Sequence, residues 1–494
     1  LIDAALTYTK DKGNLELAYH LSTFRNDNQS LSWENPFAEL SGNSGQYGQL
    51  ALEPDNDFQQ LRLSGGYQLP RNNYLTAVLS SGLMTQDQDF LPYTTNESID
   101  GNTLPGDSLD GEIRQNIAQI KLNSRPLRDW QFNASYRYHD HDNNTPQATY
   151  TYPVADSLPP GKTGKNEEDL TAINQPLSYT RNTTRLDGRY RFNRALSLQL
   201  GYDLEDTRRE NSEVDETDER TLWGKFKWKH NPSSLDGWIR AGYITRDGSG
   251  YNPSVDSYNL YIDNPLLRKY HLADLERSEL RMLFNYTPLQ RLTLSANLAY
   301  SEDDYTESLI GLTGASNRSA TLEASYAPTD KVSTYAYYTR DLIESEQAGR
   351  ETAPSTSGAS FTENHQANWY ADLRDTMDNF GIGTQWQDAI PRIDLGADYV
   401  YAHSQGESEL GQPEATAFPN LATDLYSLKL WARYRQSPQL SYKLSYWRDR
   451  FTSEDWALDG VSPTSSDSPT SLFMISDSPE YDVDIIMLSL RYNF

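Results

Sequence analysis

The chain has 494 residues, a net charge of −27 and no cysteine, and only 36% of its residues are hydrophobic. Its mean hydropathy is −0.76, and no apolar run reaches the roughly 20 residues that a membrane-spanning helix needs. The acidic balance argues against a nucleic-acid partner, because phosphate binding needs clustered Lys and Arg. Without Cys, this chain can hold no disulfide, no thiolate metal site and no covalently attached c-type haem.

From the N-terminus onward, strand-like segments alternate with two kinds of connection. Residues 1–10 and 14–24 are joined by a tight turn at Asp11, Lys12 and Gly13, which predicts a β-hairpin. A long polar stretch then precedes residues 58–69, where apolar and polar residues alternate. The same unit of strand, short turn, strand and long loop recurs to the C-terminus. The further predicted strands are 75–83, 113–123, 130–139, 185–192, 196–204, 222–229, 235–243, 280–286, 292–300, 320–326, 332–338, 380–386, 393–401, 425–434, 440–446 and 481–494.

The connections alternate between short turns, many with Pro or Asn, and long loops rich in Asp, Asn, Ser, Pro and Gly. This asymmetry is typical of bacterial outer-membrane barrels, which have short periplasmic turns and long extracellular loops. We therefore predict an all-β fold: a large antiparallel up-and-down transmembrane β-barrel with about 19 strands visible, forming a single domain over residues 1–494. The longest predicted loops are 25–56, 86–111, 142–181, 248–274, 345–374 and 452–480.

The last predicted strand, Tyr481 to Phe494, shows the pattern most clearly. Ile486, Leu488 and Leu490 share one side, and polar residues occupy the other, because side chains alternate along a strand. The 34 Tyr and 10 Trp of the chain suit the aromatic girdles at the two membrane interfaces. The residues predicted to face lipid are Leu61, Leu63, Tyr67, Phe132, Tyr136, Leu198, Leu200, Leu294, Leu428, Leu444 and Leu490.

The strand count predicts more of the barrel upstream. The last strand follows a long loop and so ends on the periplasmic side, whereas the first is followed by a short turn and so starts on the extracellular side. Bacterial single-chain barrels have an even number of strands with both ends in the periplasm. We therefore expect an odd number of N-terminal strands before Leu1.

Basic residues recur on the polar face of the predicted strands. They have two interpretations: ordinary lumen residues paired with Asp187, Asp203, Glu205, Glu323, Asp394 and Asp398 on neighbouring strands, or a basic wall that binds an acidic partner. The candidate partner-facing residues are Arg62, Lys121, Arg137, Arg185, Arg189, Arg191, Lys225, Lys227, Lys229, Arg240, Arg281, Arg433, Arg435 and Lys443.

Candidate metal ligands form weaker patterns. Acidic loop residues could bind Ca²⁺, either at Asp55, Asn56 and Asp57 or in the run Glu210, Glu213, Asp215, Glu216, Asp218 and Glu219, although none matches an EF-hand loop. His139 and His141 share one strand face but have no evident third ligand. No catalytic motif stands out, so we predict no enzymatic activity, no bound cofactor and no catalytic residue.

Three stretches resemble the decahaem-associated outer-membrane protein family of the MtrB/PioB type. They are AYHLSTFRNDNQSLSWENPF at 18–37, LALEPDNDFQQLRLSGGYQLP at 50–70 and SGLMTQDQDFLPYT at 81–94. Further along the chain, the resemblance lies mainly in the repeated pattern of strands, turns and loops. Members of this family usually carry an N-terminal cysteine pair, which this chain lacks.

The resemblance implies a 26-strand barrel, integral to the bacterial outer membrane, that encloses a periplasmic decahaem cytochrome. It further implies a second, extracellular multihaem cytochrome at the cell surface, with haem c carried by these partners and electrons passing to extracellular acceptors. Seven absent strands would agree with the odd number expected above. The alternative function is that of a porin or a plugged nutrient-transport barrel, which a plug sequence ahead of Leu1 would favour.

Overall fold

The computed structural model describes residues 1–34, 47–95, 103–152, 170–230, 235–252, 266–350, 368–412, 414–460 and 478–493. Within these ranges no helix is long and apolar enough to cross a membrane, and the regular structure consists of strands and one 3₁₀ turn, Trp456–Leu458. The short turn between the predicted strands 222–229 and 235–243, which contains Asn231 and Pro232, and the central parts of several long loops lie outside the described residues.

The strands are numbered in chain order. They are β1 (Ile2–Lys10), β2 (Gly13–Phe24), β3 (Ser30–Glu34), β4 (Tyr47–Ala51), β5 (Asn56–Leu69), β6 (Asn73–Gln86), β7 (Gly111–Ser124), β8 (Trp130–Asn143), β9 (Thr149–Tyr152), β10 (Leu170–Ile173), β11 (Ser178–Arg191), β12 (Leu196–Glu210), β13 (Glu216–His230), β14 (Leu235–Gly248), β15 (Leu267–Arg268), β16 (Leu275–Leu289), β17 (Leu292–Asp304), β18 (Ile310–Thr329), β19 (Val332–Arg350), β20 (Asn368–Ile390), β21 (Ile393–Gln412), β22 (Glu414–Ala417), β23 (Leu421–Arg435), β24 (Leu440–Glu454) and β25 (Tyr481–Tyr492).

The long strands form one continuous antiparallel ladder in which each pairs with the long strands before and after it in the chain. The ladder runs β1-β2-β5-β6-β7-β8-β11-β12-β13-β14-β16-β17-β18-β19-β20-β21-β23-β24-β25. The predicted all-β, antiparallel up-and-down architecture of about 19 strands is confirmed. Among the described residues, β1 pairs only with β2 and β25 only with β24.

The ladder separates the side chains into an apolar face and a polar face. Leu198 lies opposite Phe226 and Tyr202 opposite Leu222, so apolar residues of β12 and β13 meet on one side of the sheet. No described segment of the chain covers this face: Leu200 is 57% exposed and Leu490 63% exposed. Such an uncovered apolar face belongs against lipid, which makes the polar face the lining of the lumen.

The apolar stripe ends before the strands do. Residues 320–326 are predicted as a strand, but β18 covers 20 residues, and its neighbours β19, β20 and β21 have 19, 23 and 20. A tilted strand crosses the hydrocarbon core in about 9–11 residues, so these strands extend well beyond it. Backbone hydrogen bonding continues there because it needs no apolar side chain, whereas the sequence pattern marks only the lipid-facing part.

Some stretches predicted as long loops contain ordered structure. Two small hairpins, β3 with β4 and β9 with β10, form within them. Near the long-loop ends of β12 to β18, Val214, Ala273 and Tyr305 are buried, and Lys269, just before β16, forms an ion pair with Glu213, just before β13. Burial raises the pKa of the Tyr305 phenol. These contacts join distant segments and leave no local sequence pattern, so the sequence alone did not predict them.

Candidate functional site

The strand register places all the candidate basic residues on the lumen face. Arg137 lies opposite Thr183, whose own neighbours on the same side of β11 are Arg181 and Arg185. Lys225 lies opposite Arg240, which lies opposite Arg281 on the next strand. Cross-strand partners share a face, so these cations are side by side on the wall that surrounds the lumen.

Several of these cations are held by carboxylates. Arg433 and Arg435 contact the buried Asp394 at 2.8 and 3.0 Å. Glu279 holds two more: its carboxylate oxygens lie 3.6 Å from Arg240 and 3.5 Å from Arg281. For these residues, pairing across strands is the observed arrangement. The other ion-paired member of the candidate set is Arg191, 2.9 Å from Asp129 at a short turn.

Tryptophan faces on the lumen wall hold other cations. The ammonium nitrogen of Lys225 lies 4.0 Å from the ring centroid of Trp238, and that of Lys443 lies 4.9 Å from Trp431. Trp431 itself lies flat against Gly396, where a Cβ would come within 2.2 Å of the indole. These cation–π pairs fix the Lys side chains without neutralising their charge.

Of the remaining seven candidates, Arg189 donates a hydrogen bond to the side-chain oxygen of Gln131, and six make no hydrogen bond, ion pair or ring contact with any described residue. Two of the acidic residues expected to pair with lumen cations accept other hydrogen bonds: Oδ2 of Asp187 accepts from Asn133 and Gln199, and Oδ1 of Asp398 accepts from Tyr335. Neither acid forms an ion pair with a described lumen cation, so the expected pairing is not observed for these two residues. The six residues are Arg62, Lys121, Arg137, Arg185, Lys227 and Lys229.

The lumen charges divide by position around the ladder. The cationic sector, defined as the lumen face of β5–β13, has eleven cations and only four carboxylates, Asp187, Asp203, Glu205 and Glu219. Its cations are Arg62, Lys121, Arg137, Arg181, Arg185, Arg189, Arg191, Arg209, Lys225, Lys227 and Lys229.

The anionic sector is the lumen face of β18–β21. Its described residues include no Lys or Arg, and its carboxylates are Glu323, Asp341, Asp375, Asp394 and Asp398. Of these, Asp394 is neutralised by the two arginines of β23 described above. On the three strands between the sectors, opposite charges neutralise one another: besides the Glu279 pairs, Arg277 forms a two-pronged contact of 2.5 Å with Asp303.

A cavity of ≈ 370 Å³ lies in the cationic sector. Arg137, His139, Arg181 and Arg185 line it. Its one carboxylate, Glu205, contacts Arg181 at 3.2 Å, and the buried Nε2 of His139 has no hydrogen-bond partner. Three guanidinium groups with one carboxylate suit an anion, because Arg binds carboxylates and phosphates through paired N–H donors.

Sequence reasoning missed several lumen cations. Arg181 and Arg209 lie on the same faces of β11 and β12 as the predicted residues but beyond the apolar stripe, where the predicted strands stop. Lys429, on β23, lies 3.9 Å from the Trp447 ring centroid. Arg181 and Arg209 could have been predicted by continuing the two-residue alternation beyond the apolar part of each strand.

The residues predicted as metal ligands do not form the metal sites expected from the sequence. Asp55 and Asp57 contact Arg25 at 3.7 and 2.8 Å, so an arginine already occupies the first Ca²⁺ candidate. His139 and His141 flank the Tyr179 ring on the lumen wall. Within the described residues, the one convergent acidic group is Asp206, Glu216 and Asp218.

A broad ladder of antiparallel strands with an uncovered apolar face and a charged opposite face defines an integral outer-membrane β-barrel. A family profile described as outer membrane beta-barrel porin, MtrB/PioB, matches residues 1–494. The chain belongs to this family, and it is a structural or transport protein of the bacterial outer membrane rather than an enzyme.

The outer membrane protein MtrB of Shewanella baltica (strain OS185) is 28% identical over 496 residues, which cover 99% of this chain and 66% of that protein. The chain thus spans slightly less than two thirds of its relative. Among solved structures, the FrpB iron transporter of Neisseria meningitidis is 9% identical with a TM-score of 0.47, over 90% of this chain and 74% of that one. The copper transporter OprC gives the same identity and TM-score, over 90% of this chain and 70% of that one.

Proposed function

We propose that this barrel encloses a periplasmic decahaem c-type cytochrome and holds it across the outer membrane, so that electrons reach extracellular acceptors. A second multihaem cytochrome receives them at the cell surface. The haem belongs to the partners, since this chain has no Cys to attach it. The barrel's contribution is geometry and charge.

The observation that carries this proposal is the row of unpaired Arg and Lys on the lumen wall. An unpaired cation gains from an anionic neighbour, and the gain is larger when binding removes water from the interface. Haem propionates and acidic protein surfaces supply such anions. A barrel of 16 to 18 strands already encloses water, so a ladder of nineteen leaves room for a protein partner.

The test is electron transfer across a liposome membrane. With a membrane-impermeant reductant outside the liposomes, barrel and cytochrome together should pass its electrons to a dye enclosed inside, and the barrel alone should not. A barrel purified from its native membrane should also bring a Soret absorption band with it. Binding should weaken as salt rises, because counterions screen the lumen charges.

Two results would contradict the proposal. One is equal electron transfer by the empty barrel with no small mediator present. The other is no association with a cytochrome at any salt concentration. Ion or solute conductance by the purified barrel, in place of cytochrome binding, would support the porin or transporter alternative.

A further inference from the structure

The charges of the lumen face are distributed unevenly: cations predominate on one group of strands and carboxylates on another. Arg137 and Arg185, in the cationic sector, have no ion-pair partner among the described residues, and neither do Asp341 and Asp375 in the anionic sector. The self-neutralised strands β14, β16 and β17 separate the two sectors. The unpaired charges of opposite sign therefore act on an occupant from two different directions.

Each sector also has a concave surface. The cationic cavity brings together Arg137, Arg181 and Arg185, whereas a second cavity of ≈ 410 Å³ is lined by Asp341 and Asp375 together with the apolar Ile343 and Met377. Carboxylates beside apolar side chains suit a Lys or Arg, whose alkyl stem packs while its head pairs. The first cavity suits a carboxylate.

We propose that the two sectors fix the rotation of the lumen partner about the barrel axis. This inference rests on the proposed function and adds a requirement on the partner. It must carry an acidic face toward β5–β13 and a basic face toward β18–β21. A uniformly acidic partner would be repelled by the anionic sector, since like charges brought together are unfavourable.

Two charge-neutralising variants test this against a simple basic wall. Arg137→Gln with Arg185→Gln should weaken cytochrome binding on the order of tenfold at low salt. Asp341→Asn with Asp375→Asn should weaken it to a similar degree. If the lumen acted only as a basic wall, the second variant would have the opposite effect. Removal of two lumen carboxylates would then tighten the binding of an acidic partner.

The matched control is Glu407→Gln with Glu409→Gln, which removes two carboxylates from the outward face of β21 and should leave binding unchanged. Heat-dependent gel mobility and circular dichroism verify that each variant is a folded barrel. Unchanged or tighter binding by the Asp341 and Asp375 variant overturns the sector proposal while the proposed function stands. No binding by the unaltered barrel overturns both.

Photo-crosslinking gives an independent readout of orientation. A crosslinker placed at Gln119, in the cationic sector, should capture acidic peptides of the cytochrome. One placed at Thr321, in the anionic sector, should capture basic peptides. Capture of the same peptides from both positions would show free rotation and contradict the proposal.

Discussion

Leu444 and Ser445 are adjacent on β24 but face opposite sides of the barrel wall. Leu444 is 53% exposed and lies between Ala432 and Leu488 on the apolar face. Ser445 lies beside Trp431 on the lumen face. Leu444 is four residues from the short-turn end of β24, and at about 3.4 Å per residue and about 40° of tilt this places it roughly 10 Å into the apolar band.

Leu444→Arg should therefore destabilise the folded barrel by about 2–4 kcal/mol, the cost of an Arg near the middle of the bilayer. This corresponds to roughly 30-fold to 700-fold in the folding equilibrium, at about 1.4 kcal/mol per factor of ten. Ser445→Arg adds the same charge one residue away, but its side chain reaches water or a partner in the lumen, so the expected cost is below about 1 kcal/mol.

The measurement is denaturant unfolding of the protein in lipid vesicles, comparing free energies of unfolding for the two variants. A fluorescence shift of the lumen tryptophans can follow the transition. Equal destabilisation by both variants, or a larger loss for Ser445→Arg, would show that the lipid and lumen faces are assigned the wrong way round.

Three further predictions concern single residues. Asp394→Asn should lower the free energy of unfolding by about 1–2 kcal/mol, because it weakens two charge-assisted contacts to half-exposed arginines. An unchanged denaturation midpoint would contradict this prediction. Gly396→Ala should cost about 1–3 kcal/mol by pushing Trp431 off the strand, visible as a shift in tryptophan emission. Because the chain has no Cys, single introduced cysteines can report which side of the membrane a residue faces. On intact cells a membrane-impermeant maleimide should label Asp459→Cys and leave Asp330→Cys unlabelled. Labelling of Asp330→Cys alone would show that the barrel has the opposite orientation in the membrane.

Much of the fold could be predicted from sequence because each membrane strand carries its own two-residue alternation. In β12, for example, Leu198 and Leu200 alternate with polar residues, which predicts both the strand and the face that contacts lipid. Short turns and long loops then give the order of the ladder, since consecutive strands pair. The faces of the candidate basic residues follow from the same parity.

The sequence could not determine which lumen charges neutralise each other. Arg433 and Asp394 are 39 residues apart and meet only because β21 and β23 pair in one particular register. A shift of two residues would preserve every face yet change every cross-strand neighbour. The unpaired state of Arg137, and the separation of the cationic and anionic sectors, therefore arise from strand register, which only the tertiary structure decides.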